Sequence, residues 1–108
     1  MKNGLVIQAP NDRLWYKNNK LHRINGPAIE RENGYQAYYI NGKCHRIDGP
    51  AITYASGRSL WFYDNIWYKE KKYHPFHLFR KQWKISENYD EWSKDHKILF
   101  KLTYGGNV

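Results

Sequence analysis

The sequence has little cysteine and no long apolar run. Cys44 is the single cysteine among 108 residues, so no internal disulfide can form. A lone cysteine fits a reducing compartment, and we therefore expect a cytoplasmic protein. The apolar run at residues 5–7 is too short for a signal-peptide core or a membrane-spanning helix. These absences predict a soluble chain without a membrane span.

Signatures of catalysis are also missing from the sequence. It contains no evident paired carboxylates, nucleophile elbow, phosphate-binding loop or Cys/His dyad. We therefore predict that the protein is not an enzyme and that it requires no cofactor.

Histidine is the residue type that could suggest a metal site, at His22, His45, His74 and His77. A metal ion needs converging ligands, whereas equivalent residues of adjacent repeat copies would lie about 10 Å apart, two strand spacings. The spacing of His74 and His77 allows chelation, but two ligands make a weak site. We predict no metal site and expect each histidine to hydrogen-bond the backbone of a Gly-Pro-Ala bend.

Aromatic residues and positive charge, in contrast, are abundant. Aromatic residues make up 18% of the chain, which favours strands and interfaces. The formal net charge of +8 permits nucleic acid, an anionic membrane surface or an acidic protein as partner. The basic residues are dispersed, and Lys69, Lys71 and Lys72 form the one cluster. Charge therefore limits the class of partner without identifying it.

One stretch of sequence occurs twice, with an offset of 23 residues. Residues 15–34 (WYKNNKLHRINGPAIERENG) align without gaps with residues 38–57 (YYINGKCHRIDGPAITYASG). A third, partial copy begins at residue 57, although residues 67–74 (WYKEKKYH) offer a competing register. The pattern indicates tandem duplication with an altered terminal copy.

Turn-forming pairs divide the repeated region into short segments rich in β-branched and aromatic residues. Residues of these types tolerate the positive φ that two-residue hairpin turns require. The predicted turns are Asn18-Asn19, Asn33-Gly34, Asn41-Gly42, Ser56-Gly57 and Asp64-Asn65. The predicted strands are residues 13–17, 20–24, 28–32, 35–40, 43–47, 51–55, 58–63 and 66–69.

The aligned aromatic residues would stack in two columns, because equivalent residues of stacked repeats lie above one another. One column would contain Trp15, Tyr38 and Trp61. The other, on the opposite face, would contain Tyr16, Tyr39 and Phe62. One column should face the core and the other should be partly exposed.

The C-terminal segment shows helical periodicity. A first helix is expected from Pro75, with Phe76, Phe79 and Trp83 on one face. A second is expected to begin near Asn88, where Glu91 has the spacing of a capping box, and to end at residues 105–106.

The predicted fold class is α+β, mainly β, with an antiparallel meander of tandem 23-residue hairpin repeats capped by one or two helices. Residues 1–74 would be the β-repeat region and residues 75–108 the helical cap of the same single domain. The helices would cover the open edge of the repeat array.

The pattern W-Y-x-N-G-x-x-H-R-x-D-G-P-A, present at residues 15–28 and 38–51, resembles a repeat of small bacteriophage proteins and looks like a divergent MORN repeat. The resemblance covers residues 13–74. This sequence departs from the pattern at Asn19, where glycine is expected, at Asn25, where aspartate is expected, and in the late WYKEKKYH segment. MORN-type repeats imply contact with proteins or lipid headgroups and bring no catalytic residues, and related variants occur in antitoxin components.

Together these features predict a non-enzymatic protein-interaction module. The resemblance suggests a phage accessory protein that binds and inhibits or modulates a bacterial host protein, for example a defence protein. The alternative is a basic protein that binds nucleic acid or sequesters nucleotides.

The residues predicted to bind are Arg23, Arg46, Lys20, Lys43, Lys69, Lys71 and Lys72. The arginines could bind phosphate or carboxylate together with Lys20 and Lys43. A structural role for the arginines, in ion pairs with Glu30, Glu32 or Asp48, is the other interpretation.

Overall fold

The structure of the chain is a computed structural model that describes residues 2–8 and 10–105. The fold is mainly antiparallel β-sheet followed by two helices, which is an α+β class. The strands are β1 Gly4–Gln8, β2 Asp12–Lys17, β3 Lys20–Leu21, β4 Ile29–Glu30, β5 Gln36–Ala37, β6 Tyr39–Ile40, β7 Lys43–Cys44, β8 Ile52–Thr53, β9 Ser59–Tyr63 and β10 Ile66–Tyr68. The helices are α1 Pro75–Trp83 and α2 Lys94–Tyr104, with short 3-10 turns at Lys71–Tyr73 and Tyr89–Glu91.

Eight strands form one antiparallel sheet in the order β1-β2-β4-β5-β8-β9-β10, with β3 also paired to β2. The remaining hairpin, β6-β7, branches off as a two-stranded sheet. Each predicted strand segment overlaps at least one observed strand, and the segment at 35–40 contains two. Strand β1 is not among the predicted strands, because residues 4–8 lie outside the repeated sequence. It pairs with β2 along its whole length, from Gly4 opposite Tyr16 to Gln8 opposite Asp12.

Three hairpin turns have the left-handed backbone that the sequence predicts, and they lie 23 residues apart. Positive φ occurs at both central residues of Asn18-Asn19 (51° and 67°), Asn41-Gly42 (49° and 81°) and Asp64-Asn65 (48° and 68°). Asparagine, aspartate and glycine tolerate this conformation, which matches the twist of the flanking strands. The left-handed turn at residues 64–65 thus lies 23 residues after the turn at residues 41–42.

The two other hairpins are built differently from the prediction. At residues 33–34 and 56–57 only the glycine has positive φ, 97° at Gly34 and 93° at Gly57. The Gly34 amide donates to the Arg31 carbonyl at 3.0 Å, and the Arg31 amide donates to the Tyr35 carbonyl at 2.9 Å. This is a type I turn followed by a glycine bulge, a longer loop than a two-residue turn.

The buried apolar residues form two clusters. The first lies within the sheet and consists of Leu14, Ile29, Ala37, Cys44, Ala51 and Ile52. The predicted column of Tyr16, Tyr39 and Phe62 packs against it, but so does Tyr38 from the other column. The second cluster joins the last hairpin to the helices through Tyr63, Phe76, Phe79, Trp92 and Phe100. The helices are thus held by the aromatic end of the sheet.

Helix α1 begins at the predicted residue, whereas α2 begins later than predicted. The Asn88 side chain accepts from the Asp90 amide at 3.0 Å and starts only the short 3-10 turn. Glu91 does not complete a capping box, because its carboxylate accepts from the Ser86 hydroxyl. The backbone is extended at Trp92, whose ring stacks on Phe76 at 5.1 Å, and α2 begins after Ser93.

Helix α2 ends at Tyr104, followed by Gly105 as predicted, while residue 106 lies outside the described residues. The Tyr63 hydroxyl donates to the Gly105 carbonyl at 3.0 Å, which fixes the end of the helix to the sheet. Among the described residues, no helix has the length and apolar character needed to cross a membrane.

Two aromatic residues of α1 should differ in their contribution to stability. Phe79 is fully buried, whereas Trp83 is 45% exposed. We expect Phe79→Ala to lower the free energy of unfolding by about 3–5 kcal/mol, because it leaves a cavity among aromatic rings. Trp83→Ala should cost less than about 2 kcal/mol. Urea unfolding followed by tryptophan fluorescence and circular dichroism measures both, and equal losses would contradict this description of the second cluster.

Candidate functional site

The histidines of the repeated sequence bind the next left-handed turn along the chain. His22 Nδ1 accepts from the Asn41 amide at 3.0 Å, and His45 Nδ1 accepts from the Asp64 amide at 3.0 Å. The prediction that each histidine bonds the Gly-Pro-Ala bend is therefore wrong. Left-handed turn amides point away from the hairpin ladder and need an acceptor elsewhere, which the imidazole supplies.

The first turn is satisfied in the same way by a different residue. The Asn18 amide donates to Asn3 Oδ1 at 2.9 Å. Two turn residues also accept hydrogen bonds from the preceding segment. The Asn19 side-chain oxygen accepts from the Lys2 amide, and that of Asn65 accepts from the Cys44 amide. Asparagine at position 19, where the resembled pattern has glycine, thus makes a contact that glycine could not make.

The hydrogen bond at Nδ1 of His45 indicates which ring nitrogen carries the proton. An Nδ1 atom that accepts from a backbone amide carries no proton, so the neutral ring carries its proton on Nε2. Asp64 Oδ1 lies 3.5 Å from the same Nδ1, but an ion pair there would require a proton that the amide bond excludes. Burial lowers the pKa of His45, more than Asp64 raises it, and the residue is 2% exposed. We conclude that His45 is neutral.

The two arginines that follow these histidines close the Gly-Pro-Ala bends. Arg23 Nη1 donates to the Pro27 carbonyl at 3.2 Å, and Arg46 Nη1 donates to the Pro50 carbonyl at 3.1 Å. Each guanidinium also lies on an aromatic ring, Arg23 at 3.8 Å from the Trp15 ring centre and Arg46 at 4.2 Å from that of Tyr38. We call residues 23–27 and 46–50 the two arginine bends.

Acidic partners complete these contacts. Arg23 pairs with Glu30 at 3.3 Å, and Arg46 pairs with Asp48 at 3.5 Å. Glu30 and Asp48 are two of the three acidic residues that the sequence suggested as ion-pair partners. Both arginine side chains keep almost a third of their surface exposed, 30% and 29%. They are held in place by the fold and still face solvent.

Residues of both arginine bends line a cleft of about 550 Å³. The 3-10 turn at Tyr89–Glu91 contributes Tyr89 and Asp90 to the lining. The lining combines arginines, carboxylates, tyrosines and isoleucines: Arg23, Ile24, Asn25, Gly26, Tyr38, Ile40, His45, Arg46, Ile47, Asp48, Tyr89 and Asp90. Burial raises the pKa of Tyr89, and the nearby Asp48 and Asp90 raise it further. This cleft is the candidate site because it brings together the repeated arginines.

The predicted lysines lie elsewhere. Lys20 and Lys43 are exposed beside the left-handed turns and do not line the cleft with the arginines. Lys69, Lys71 and Lys72 follow β10, where Lys72 lies 3.6 Å from Glu70. That Lys20 and Lys43 bind an anion together with Arg23 and Arg46 stays a prediction, and the cleft itself brings together only the two arginines.

His74 joins the sheet to α1 through both of its ring nitrogens. Its Nδ1 accepts from the Phe76 amide at 3.2 Å, and its Nε2 donates to the Phe62 carbonyl at 3.1 Å. With both nitrogens occupied, His74 and His77 cannot chelate an ion together. In the described part of the chain, no group of three or more histidine, cysteine, aspartate or glutamate residues could hold a metal ion.

Three residues of functional interest were not found by sequence reasoning. Tyr89 and Asp90 lie outside the repeated sequence and reach the cleft only because the second cluster folds their segment back over the sheet. Asn3 takes the role of a histidine at the first turn, and no alignment with the repeat indicates this. A search for a side-chain acceptor before each left-handed turn could have found Asn3.

The arginine bends predict a difference between two equivalent glycines. A Cβ atom at Gly49 would lie 2.6 Å from Arg46 Cζ, whereas one at Gly26 would lie 3.1 Å from Arg23 Cζ. We expect Gly49→Ala to displace the Arg46 guanidinium from Tyr38 and to lower the free energy of unfolding by about 1–2 kcal/mol. Gly26→Ala should change it by less than about 1 kcal/mol. Denaturant unfolding of both variants tests this, and a larger loss at Gly26 would refute it.

His74 predicts that stability falls as the solution is acidified. Burial lowers its pKa from 6.5 to about 4, against smaller opposing effects of backbone carbonyls. Below pH 6.5 the unfolded chain binds a proton that the folded chain refuses, so the stability decreases from about pH 6.5 down to about pH 4. The loss from this residue is on the order of 3 kcal/mol.

The matched variant is His74→Asn, which keeps an acceptor for the Phe76 amide and removes the titration. We expect it to be less stable than the parent at pH 7 but to lose less stability between pH 6.5 and 4. Urea unfolding of both proteins between pH 6.5 and 4 measures how much each free energy of unfolding changes. The effect of titrating carboxylates is common to both proteins and cancels in the comparison. Parallel pH profiles would show that His74 titrates normally.

Comparison of the chain with protein-family models, with curated proteins and with solved structures found no significant match.

Proposed function

We propose that the chain is a non-enzymatic protein-interaction module that binds an acidic protein, and that it is built from tandem copies of a 23-residue hairpin unit. The repeat is supported because residues that lie 23 positions apart make the same kinds of hydrogen bond. The pairs His22 and His45, and Arg23 and Arg46, each bond equivalent backbone groups. Polar residues that recur for such bonds stabilise a scaffold and need no reaction to explain them.

The interaction surface that we propose lies along β10 and the segment after it. We define the β10 surface as Ile66, Trp67, Lys69, Lys71, Lys72 and Tyr73. Its three large apolar side chains are about half exposed, Ile66 at 56%, Trp67 at 49% and Tyr73 at 55%. Tryptophan and tyrosine are the side chains that most often dominate binding energy at protein interfaces. These exposed aromatic residues are the observation that carries the proposal.

The position of β10 at the sheet edge strengthens this choice. It pairs with β9 and with no other strand in the described part of the chain. An edge strand presents unpaired amide and carbonyl groups that an extended segment of a partner can use. Ile66 and Trp67 are neighbours in the strand, so they point to opposite faces and would hold such a segment from both sides.

The charge of this surface favours an acidic partner. Lys69, Lys71 and Lys72 are exposed around the single acid Glu70, on a chain whose net charge is +8. Complementary charge increases the association rate and excludes basic partners. The resemblance to repeats of phage proteins makes a bacterial host protein, such as a defence protein, the candidate that we propose to be bound and inhibited.

We expect the β10 surface to decide which proteins the chain captures. The immobilised chain is incubated with nuclease-treated bacterial lysate, and the captured protein is then purified for titration. Lys71→Glu should weaken its binding at least tenfold and Trp67→Glu about thirtyfold, the latter equivalent to about 2 kcal/mol. Affinity should also fall as the salt concentration rises.

Matched controls on α2 reproduce these changes away from β10. Lys101→Glu repeats the charge reversal, and Leu102→Glu adds a carboxylate at a side chain that is 79% exposed. Both controls should retain the partner. The proposal fails if all four variants capture the same proteins equally, or if capture disappears on nuclease treatment, which would identify a nucleic-acid-binding protein instead.

A further inference from the structure

We propose that the cleft between the two arginine bends binds a nucleoside phosphate. The cleft volume of about 550 Å³ lies within the range of small-molecule sites. The residues that line the cleft come from separate parts of the chain. The β10 surface is not part of this cleft, so the inference is independent of the proposed protein interaction.

The arginines provide the binding site for the phosphate. The protein contacts of Arg46 use Nε and Nη1, and those of Arg23 use Nη1, so Nη2 of both side chains has no partner among residues 2–8 and 10–105. A guanidinium presents its donors in a planar fork that matches phosphate oxygens. Stacking on Trp15 and Tyr38 holds both forks in position before a ligand arrives.

The apolar side chains of the cleft favour a ligand that also carries a flat ring, such as a nucleobase. Ile24 lines the cleft and is a large apolar side chain that is 78% exposed. A planar base lying against Ile24 and Ile47 would cover this surface, with the stacked guanidinium of Arg46 as a further flat contact. Inorganic phosphate would leave the apolar side of the cleft uncovered.

The carboxylates of the cleft select a small ligand with hydrogen-bond donors. Asp48 and Asp90 lie on its lining together with the two arginines. They can accept from ribose hydroxyls or from the amino group of a base, and they repel additional negative charge. A nucleoside monophosphate combines one anionic group with such donors, whereas a nucleic-acid strand would bring further phosphates against Asp48 and Asp90.

The test is a titration of the full chain with AMP, GMP, CMP and UMP. Binding is measured by calorimetry and by changes in the amide chemical shifts. We expect at least one monophosphate to bind at least tenfold more tightly than its nucleoside or inorganic phosphate. Its shifts should centre on residues 23–26, 46–49 and 89–90. Absence of binding by all four up to about 10 mM overturns the inference. Equally tight binding of inorganic phosphate also overturns it, because the apolar side would then contribute nothing.

Three variants at exposed side chains test the location while leaving both arginines in place. Ile24→Glu places a carboxylate in the cleft and should weaken nucleotide binding at least tenfold, while Leu102→Glu makes a similar change at an equally exposed side chain on α2 and should leave nucleotide binding unchanged. Asp90→Ala should weaken the monophosphate more than inorganic phosphate. Unaltered nucleotide binding by both Ile24→Glu and Asp90→Ala would locate the ligand outside the cleft and refute the inference.

Discussion

The amide groups of three left-handed turns are the constraint on which the rest of this fold depends. A turn with two consecutive positive φ values directs its central amides away from its own hairpin, where they need acceptors from outside. The preceding segment supplies them each time, through Asn3, His22 and His45. Backbone carbonyls of Lys2, Leu21 and Cys44 accept from the second amide of each turn. Each hairpin is thereby bonded to its neighbour at its tip as well as along its strands.

This arrangement explains why the cleft exists. A histidine that reaches the next turn is followed directly by an arginine, which folds back over its own Gly-Pro-Ala bend and an aromatic ring. Two such bends on neighbouring hairpins leave a space between them, and the segment at Tyr89–Glu91 closes one side. The stabilising contacts therefore position two guanidinium groups toward solvent as a consequence of the fold.

Much of the sheet could be predicted from the sequence because its signals are local. Asn18-Asn19, Asn41-Gly42 and Asp64-Asn65 specify their turns through residues that tolerate positive φ, and Pro75 specifies the first residue of α1. Strand β1 could not be predicted in this way, because it depends on pairing with β2 and carries no turn signal of its own. The start of α2 depends on tertiary contacts of Trp92, which keep the backbone extended where the spacing suggested a helix.

The candidate site was harder to predict than the sheet. The sequence identified Arg23 and Arg46 as notable and grouped them with Lys20 and Lys43, whereas the cleft is lined by the two arginines and by neither lysine. The role of the histidines was assigned to the wrong backbone groups, since the relevant turn lies 19 residues later in the chain. Contacts over such distances follow from the register of the sheet and not from any local pattern.

The protonation of His22 and His45 tests the central claim most directly. Long-range nitrogen–proton NMR spectra at pH 7 distinguish the two ring nitrogens of each histidine. The account predicts that both rings are neutral, with the proton on Nε2 and with Nδ1 unprotonated, because Nδ1 accepts from the amides of Asn41 and Asp64. A proton on Nδ1 of either ring would contradict the account.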